Sequence, residues 1–227
     1  MTRYTVPLYN RIFRWLFRPV FRFIFYILSD VKIIGKENIP AQGAYLININ
    51  HISLFEPPFM LAFWPSAPEG VGATEIWNRP GQNILVRLYG GIQVHRGEYD
   101  RQALDQMIAA LRSGRPLLLA PEGRRSHTHG MQRALPGVAY IVDKTGVPVL
   151  PVGIVGTSDD FFNRAIRMRR PRIEMRIGQP LRLTPVTGKG AARHEALQAN
   201  ADQIMLAIAA LIPPEYHGVY AASREPV

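Results

Sequence analysis

From Asp30 onward, short β-branched apolar runs alternate with stretches of helical spacing, and this rhythm predicts an α/β fold. Strands are expected over residues 31–34, 44–49, 71–74, 92–95, 116–119, 149–154 and 173–177. Helices are expected over 58–64, 82–89, 100–113, 135–145 and 191–211, with Gly114, Gly146 and the Pro213-Pro214 pair marking helix ends. The expected architecture is a single domain with a mostly parallel or mixed central sheet flanked by helices. Residues 31–214 form that domain, and residues 215–227 are expected to be a loosely held tail.

Residues 1–30 have a different texture. Phe, Ile and Leu crowd the stretch from Ile12 to Leu28, but Arg14, Arg18 and Arg22 interrupt it and Pro19 lies inside it, so no uninterrupted apolar span of about 20 residues exists. At about 100° per residue, Arg11, Arg14, Arg18 and Arg22 fall within roughly an 80° arc. Phe13, Leu16, Phe17, Val20, Ile24, Ile27 and Leu28 occupy the broad opposite side. This predicts an amphipathic helical segment lying in a membrane interface, its arginines on anionic headgroups and its apolar side at the acyl boundary. Pro19 is expected to kink the segment or split it into two helices. The arginines also break the apolar core that a signal peptide needs.

The chain of 227 residues carries 27 Lys and Arg against 17 Asp and Glu, a formal net charge of +10. Such a balance favours partners bearing phosphate or an anionic membrane surface. There is no cysteine, which removes a thiol nucleophile, a disulfide framework and a Cys-based zinc site. No complete GxSxG elbow, P-loop or GxGxxG motif is present.

The candidate chemistry begins at His51, where the strand over 44–49 ends, with Glu56 five residues later. In a regular helix that offset points two side chains about 140° apart, so they meet only across a turn. Pro57-Pro58 disfavours helical geometry at Glu56 and suits a helix starting just after it. A histidine, with a free pKa of roughly 6.5, suits proton removal from a hydroxyl, and a carboxylate in reach fixes its tautomer. The run Pro121-Glu122-Gly123-Arg124-Arg125-Ser126 ends the strand over 116–119, at the strand edge where open α/β sheets place ligands. Gly123 permits close backbone approach, Arg124 or Arg125 can grip a phosphate, and Glu122 can order the loop or the substrate. A third loop, Gly90-Gly91-Ile92-Gln93-Val94-His95-Arg96, again ends a strand with arginine. His127 and His129, two apart in a loop, read as solvated side chains, and no metal is expected.

With these motifs in this order, the chain resembles the glycerolipid acyltransferase superfamily, whose archetype is 1-acylglycerol-3-phosphate acyltransferase. The resemblance spans residues 31–155 and includes a late Val147-Pro148-Val149-Leu150-Pro151-Val152 stretch. It implies acyl transfer to the free hydroxyl of a lysophospholipid, with His51 as general base and Glu56 as its charge partner. It also implies acceptor-phosphate contacts from Arg96, Glu122, Gly123 and Arg125, with Arg124 a further candidate in that loop. The donor implied is a thioester on coenzyme A or acyl carrier protein, as co-substrate rather than cofactor. Location at the cytoplasmic face of a membrane, peripheral or monotopic, follows from the same resemblance. This chain departs from the family pattern in four places. Glu56 stands for aspartate, Arg124 for threonine, and His95 and Gln93 for Asp and Phe. A histidine followed after four residues by glutamate looks like the lipid A secondary acyltransferases of the wider superfamily. Outside the motifs, Arg164, Arg167, Arg169, Arg170 and Arg172 form a cluster suited to anionic lipid or an acidic carrier protein. A non-enzymatic lipid or nucleic-acid binder is the rival reading, and no nucleic-acid partner is expected.

Overall fold

In the computed structural model, which describes residues 4–126, 128, 130–157 and 160–221, the chain begins with α1 (Leu8–Leu28), β1 (Asp30–Ile34), β2 (Leu46–Ile49), α2 (Glu56–Phe63), β3 (Glu69–Ala73), α3 (Gln82–Tyr89) and β4 (Ile92–Val94). It continues with α4 (Arg101–Arg112), β5 (Leu117–Leu119), α5 (Gly137–Thr145), β6 (Val149–Val155), α6 (Phe161–Ile166), β7 (Arg172–Ile177) and α7 (Gly190–Ala209). The strands form a seven-stranded sheet in the order β1-β7-β6-β2-β5-β3-β4. Only the β6·β7 pair is antiparallel, so β2 to β6 all point their carboxyl ends at one edge. All seven expected strands are present. Helix α6 was not anticipated, because six residues are too few to register a 3.6-residue period.

Strand β2 is buried on both faces, which explains its run of apolar residues. Its alternation feeds two cores. Leu46 joins Leu117 and Val149 under α4, α5 and α7, whereas Ile47 and Ile49 join Leu118, Leu150, Val152 and Ile154 under α1, α2 and α6. Each such side chain, fully buried, contributes about 1.5–3 kcal/mol. Gly153 in β6 allows the segment after α7 to lie directly on the sheet, since a Cβ there would sit 2.4 Å from Ile212.

Helix α1 is amphipathic as expected, but its arginines face the protein. Arg14 is buried and pairs with the buried Glu69 through its two terminal guanidinium nitrogens, at 2.8 and 2.7 Å. Arg18 donates to the Trp64 and Pro65 carbonyls and Arg22 to the Ala62 carbonyl, all at the end of α2. Asn10 and Arg14 do the same for α3, donating to the carbonyls of Arg87, Leu88 and Tyr89. These contacts satisfy carbonyls that helix ends leave without intrahelical partners and place cations at the negative ends of the helix dipoles. Of the four arginines in the stripe, only Arg11 is exposed. The expectation of arginines on lipid headgroups is therefore corrected: a helical wheel gives the angular pattern and not which side the domain claims. The outward side is apolar, with Trp15 74% and Phe23 66% exposed and Leu16, Val20, Tyr26 and Ile27 around them.

Pro19 does not split the segment, which is one 21-residue helix. Phe17 packs edge-on to Tyr89 on one side of the proline and Phe25 on Phe59 and Phe63 on the other, so tertiary contacts hold both halves. No helix among the described residues is long and apolar enough to cross a membrane.

The segment after Pro214 is also better anchored than expected, as far as residue 221. Met131 donates to the Tyr216 carbonyl and accepts from Val219, at 2.9 and 3.1 Å. The Tyr220 hydroxyl accepts from the Ala134 amide and donates to Asp202. Tyr216 and Tyr220 pack on the core, and that burial fixes a segment whose composition looked loose.

Burial alone would push the Glu69 carboxyl up, but the hydrogen bonds and charge of Arg14, followed by those of Arg115, outweigh it and hold its pKa below the ordinary value. Removing one partner from such a buried pair costs about 3–5 kcal/mol, because the remaining charge is left uncompensated. Glu69→Gln is therefore expected to lower the unfolding free energy by about that amount in urea denaturation, and Arg14→Met with Glu69→Met by less than the sum of the single changes. Equal stability of wild type and Glu69→Gln would show that the pair does not fasten α1.

Candidate active site

Strand β2 delivers His51 to the sheet edge, and Asn50 fixes its exit. The Asn50 side chain is fully buried, donates to the Ile154 carbonyl at 2.9 Å and accepts from the Ile154 amide at 2.7 Å. The loop then turns directly into α2, which starts at Glu56 rather than at Pro58. Pro57 and Pro58 occupy its first turn, where their missing N–H groups cost no helical hydrogen bond.

This turn brings His51 and Glu56 together, as the sequence required. His51 Nδ1 lies 2.7 Å from Glu56 Oε2, with the ring 15% exposed and the carboxylate fully buried. The carboxylate has two further donors. The Ile52 amide donates to Oε2 at 3.0 Å, and the Thr157 hydroxyl donates to Oε1 at 2.7 Å. A carboxylate held this way favours a proton on His51 Nδ1 and leaves Nε2 as the basic, outward nitrogen. No described residue hydrogen-bonds to His51 Nε2.

The loop after β5 clamps the same histidine by its backbone. Glu122 Oε1 accepts from the His51 amide at 2.8 Å, and the Ser126 amide donates to the His51 carbonyl at 2.8 Å. Glu122 Oε2 accepts from the Gln132 amide at 2.7 Å, so this buried carboxylate ties three loop segments together. Gly123 adopts φ +68°, and a Cβ there would meet Leu135 at 2.5 Å, which explains the glycine.

The basic candidates are distributed unequally. Arg125 is half-buried and has no side-chain hydrogen bond or ion pair with the described residues. Arg124 is exposed and donates to Gln132 at 2.7 Å, so it braces the loop. Arg96 is exposed just after β4, on the same sheet edge but three strands from β2, about 14 Å across at the usual strand spacing. It can join His51 only through an elongated ligand. His95, in the position of the family's aspartate, pairs with Asp100 at 2.8 Å. Asp100 caps α4, and the amides of Ala103 and His95, then the His95 ring, hold its pKa down to about 2. His127 and His129 lie outside the described residues.

Thr157 was missed, as were Asn50 and Gln132. Their signal was positional only: the edge rule that singled out residues 121–126 after one strand applies equally to Gly156-Thr157 after β6.

A sequence model of the acyltransferase family matches residues 30–155, more than half of the chain. The chain belongs to this family. Among curated relatives of this acyltransferase-family chain, a 1-acyl-sn-glycerol-3-phosphate acyltransferase of Borreliella burgdorferi is 28% identical over 143 residues, covering 61% of this chain and 57% of the relative. One from Chlamydomonas reinhardtii is 25% identical over 190 residues, covering 83% and 54%. The chain thus spans a little over half the length of these two. A lyso-ornithine lipid O-acyltransferase of Pseudomonas aeruginosa is 25% identical over 219 residues, covering 89% and 80%. The crystal structure of the 1-acyl-sn-glycerophosphate acyltransferase PlsC from Thermotoga maritima aligns with TM-score 0.61 at 23% identity, over 86% of this chain and 79% of that one, and shows the same fold.

Burial pushes the Glu122 carboxyl up to about 7, against the pull of the Gln132 and His51 amides. Between its ordinary value near 4.5 and about 7, the unfolded chain releases this proton while the folded chain keeps it, so stability falls as pH rises through that window. The loss amounts to about 3 kcal/mol and is complete above the folded value. Glu122→Gln is expected to remove this slope, read as the difference between urea midpoints at pH 5 and pH 8. An unchanged slope in the variant would assign the pH dependence to other groups.

Proposed function

We propose that this acyltransferase-family chain moves an acyl group from a thioester, on coenzyme A or acyl carrier protein, to the free hydroxyl of a lysophospholipid. The preferred acceptor is 1-acylglycerol-3-phosphate, giving phosphatidic acid. The observation that carries this reading is the His51–Glu56 pair, 2.7 Å apart, at the sheet edge where the loop over residues 121–126 grips the His51 backbone. His51 Nε2 takes the proton of the acceptor hydroxyl, and the oxygen attacks the thioester carbonyl. The carbon–sulfur bond then breaks, and the proton returns from His51 to the leaving thiolate. Glu56 stabilises the imidazolium formed in between. Thr157 and the Ile52 amide keep the carboxylate aimed at Nδ1.

Arg125 supports the acceptor assignment as a half-buried cation without a side-chain partner among the described residues, and Arg96 extends the basic edge. The two 1-acyl-sn-glycerol-3-phosphate acyltransferase relatives support the same acceptor. A second reading, acylation of a lyso-ornithine lipid, is favoured by the relative that aligns over most of both chains. An ornithine headgroup is zwitterionic, its carboxylate offset by an ammonium, so it attracts Arg96 and Arg125 less than a phosphate does, and this keeps the phosphate acceptor first.

The outward apolar side of α1 fits the interface of an anionic membrane at its cytoplasmic face. Trp15 and Phe23 would enter the acyl boundary while Arg14, Arg18 and Arg22 hold the helix to the domain. Acceptor and product then need not leave the bilayer surface.

Purified protein in vesicles, given acyl-coenzyme A or acyl carrier protein with lysophosphatidic acid or lyso-ornithine lipid, is expected to form phosphatidic acid by mass spectrometry. His51→Ala should lower the rate by at least about 10²-fold with folding retained. Glu56→Gln should impair turnover more than Glu56→Asp. Thr157→Val should cost about tenfold or more, as for a lost hydrogen bond to a charged group, and Thr157→Ser should restore it. Product from the ornithine acceptor alone would move the assignment to the second reading. Wild-type turnover in His51→Ala would remove the base from the mechanism.

A further inference from the structure

Residues 161–172 take no part in the chemistry above, yet they are built in an unusual way. Helix α6 buries Phe161 and Ala165, one turn apart, against the core beneath α1 and α2. A flank about 100° round the helix carries Phe162 and Ile166, again one turn apart, 50% and 53% exposed, and Met168 follows at 59%. A surface helix in water normally keeps its large apolar side chains on the buried side, whereas α6 carries its apolar stripe round onto an exposed flank. Around these three side chains stand Arg164, Arg167 and Arg169, all exposed. Arg164 makes a loose surface pair with Asp160 at 3.7 Å, and Arg167 and Arg169 have no acidic partner among the described residues.

The turn that follows is strained. Met168 and Arg170 have φ of 55° and 45°, in the left-handed region that residues with side chains rarely adopt. The Met168 amide donates to the Ala165 carbonyl at 2.9 Å and the Arg169 amide to the Arg164 carbonyl at 3.0 Å, and these bonds hold the turn. Such strain persists where surrounding structure fixes it, and it clusters at functional positions.

Two contacts say where this segment sits. Phe55, which directly precedes Glu56, packs on Phe161 and Phe162 with ring centroids 5.2 and 5.8 Å apart, nearly parallel to the second ring. At the other end Arg170 donates to the Tyr26 and Ser29 carbonyls, where α1 ends. The segment therefore connects the outward apolar side of α1 with the turn that carries the candidate active site.

We propose that residues 161–172 form a second contact with an anionic lipid bilayer, beside the His51–Glu56 site, with Phe162, Ile166 and Met168 entering the acyl boundary and Arg164, Arg167 and Arg169 meeting the headgroups. The proposal rests on the reading of α1 as a membrane-facing helix. A single helix lying in an interface leaves the body attached to it free to roll about the helix axis. A second contact away from that axis stops the roll and turns the site toward the lipid. A bilayer suits this surface better than an acidic carrier protein, because the apolar side chains of α6 join those of α1 in one helical layer.

The test is sedimentation of the full chain with vesicles of phosphatidylcholine alone or mixed with phosphatidylglycerol. The variants are Arg164→Gln with Arg167→Gln and Arg169→Gln, Phe162→Ser with Ile166→Ser and Met168→Ser, and Trp15→Ser with Phe23→Ser in α1. At roughly fivefold per arginine near an anionic surface, the arginine variant should bind mixed vesicles about 10²-fold more weakly, with binding to neutral vesicles unchanged. The α6 apolar variant should lose binding to both. Circular dichroism and thermal unfolding verify that it folds, and the arginine variant tests the proposal independently of the Phe55 stack. Wild-type partitioning by both α6 variants, with loss confined to the α1 variant, overturns the proposal and leaves the α1 reading standing. Failure of wild type to bind any vesicle overturns both. Wild-type vesicle binding by the arginine variant, with turnover lost only when acyl carrier protein is the donor, also overturns it and makes the patch a carrier dock.

Discussion

A single buried carboxylate organises the site end of this molecule. Glu56 has no solvent exposure, so its lone pairs must be met by protein groups or the charge becomes costly. The partners come from separate places: the imidazole and amide of the loop after β2, and a hydroxyl after β6. Meeting them fixes the exit of one central strand, the start of α2 and the exit of the neighbouring strand at once. Asn50 repeats the tie between β2 and β6 with two more hydrogen bonds, and Glu122 secures the His51 backbone from the opposite side. The orientation of the candidate base is thus set by polar bonds between loops, while the two apolar cores, one on each face of the sheet, supply rigidity.

Much of this was readable beforehand. The strands were legible because their β-branched runs are short and separated by helical spacing, and the His51–Glu56 meeting because five residues after a strand, followed by prolines, force a turn. The structure-forming role of Glu122 was among the options, but nothing in the sequence indicated that its partners would be the amides of His51 and Gln132. Thr157 carries only the positional signal of the sheet edge, because a threonine after a strand is commonplace and its partner lies 101 residues away. The arginine stripe of α1 was found correctly and faced the wrong way. Its acceptors are the carbonyl ends of α2 and α3 and the buried Glu69, which exist only once the chain has folded.

That inversion redistributes the positive charge. The formal excess of +10 suggests a basic N-terminal helix. In the folded protein, Arg14, Arg18 and Arg22 are spent on internal acceptors, and the side of α1 that meets the surroundings is apolar. Among the exposed cations, Arg96 stands on the sheet edge and Arg164, Arg167, Arg169, Arg170 and Arg172 beside α6. Exposed apolar surface and exposed charge therefore stand on separate parts of the molecule at α1, and side by side at α6.

The anchoring of residues 216–220 bears on the order in which the protein can be made. Tyr216, Val219 and Tyr220 bond to Met131 and Ala134, and the loop over residues 130–134 in turn supplies the Gln132 amide to Glu122. On a ribosome, the loop that grips His51 emerges long before the residues that brace it. Strand β1 likewise waits for β7, since Val31 pairs with Ile173. Folding must therefore close a loop that runs from Val31 to Ile173, more than half of the chain, late in synthesis, a topology associated with slow folding. Until then, the arginines of α1 have their acceptors in hand by Gly90 while the edge that carries the candidate site is still unassembled. The first helix thus has its own fastenings before the candidate site has all of its parts.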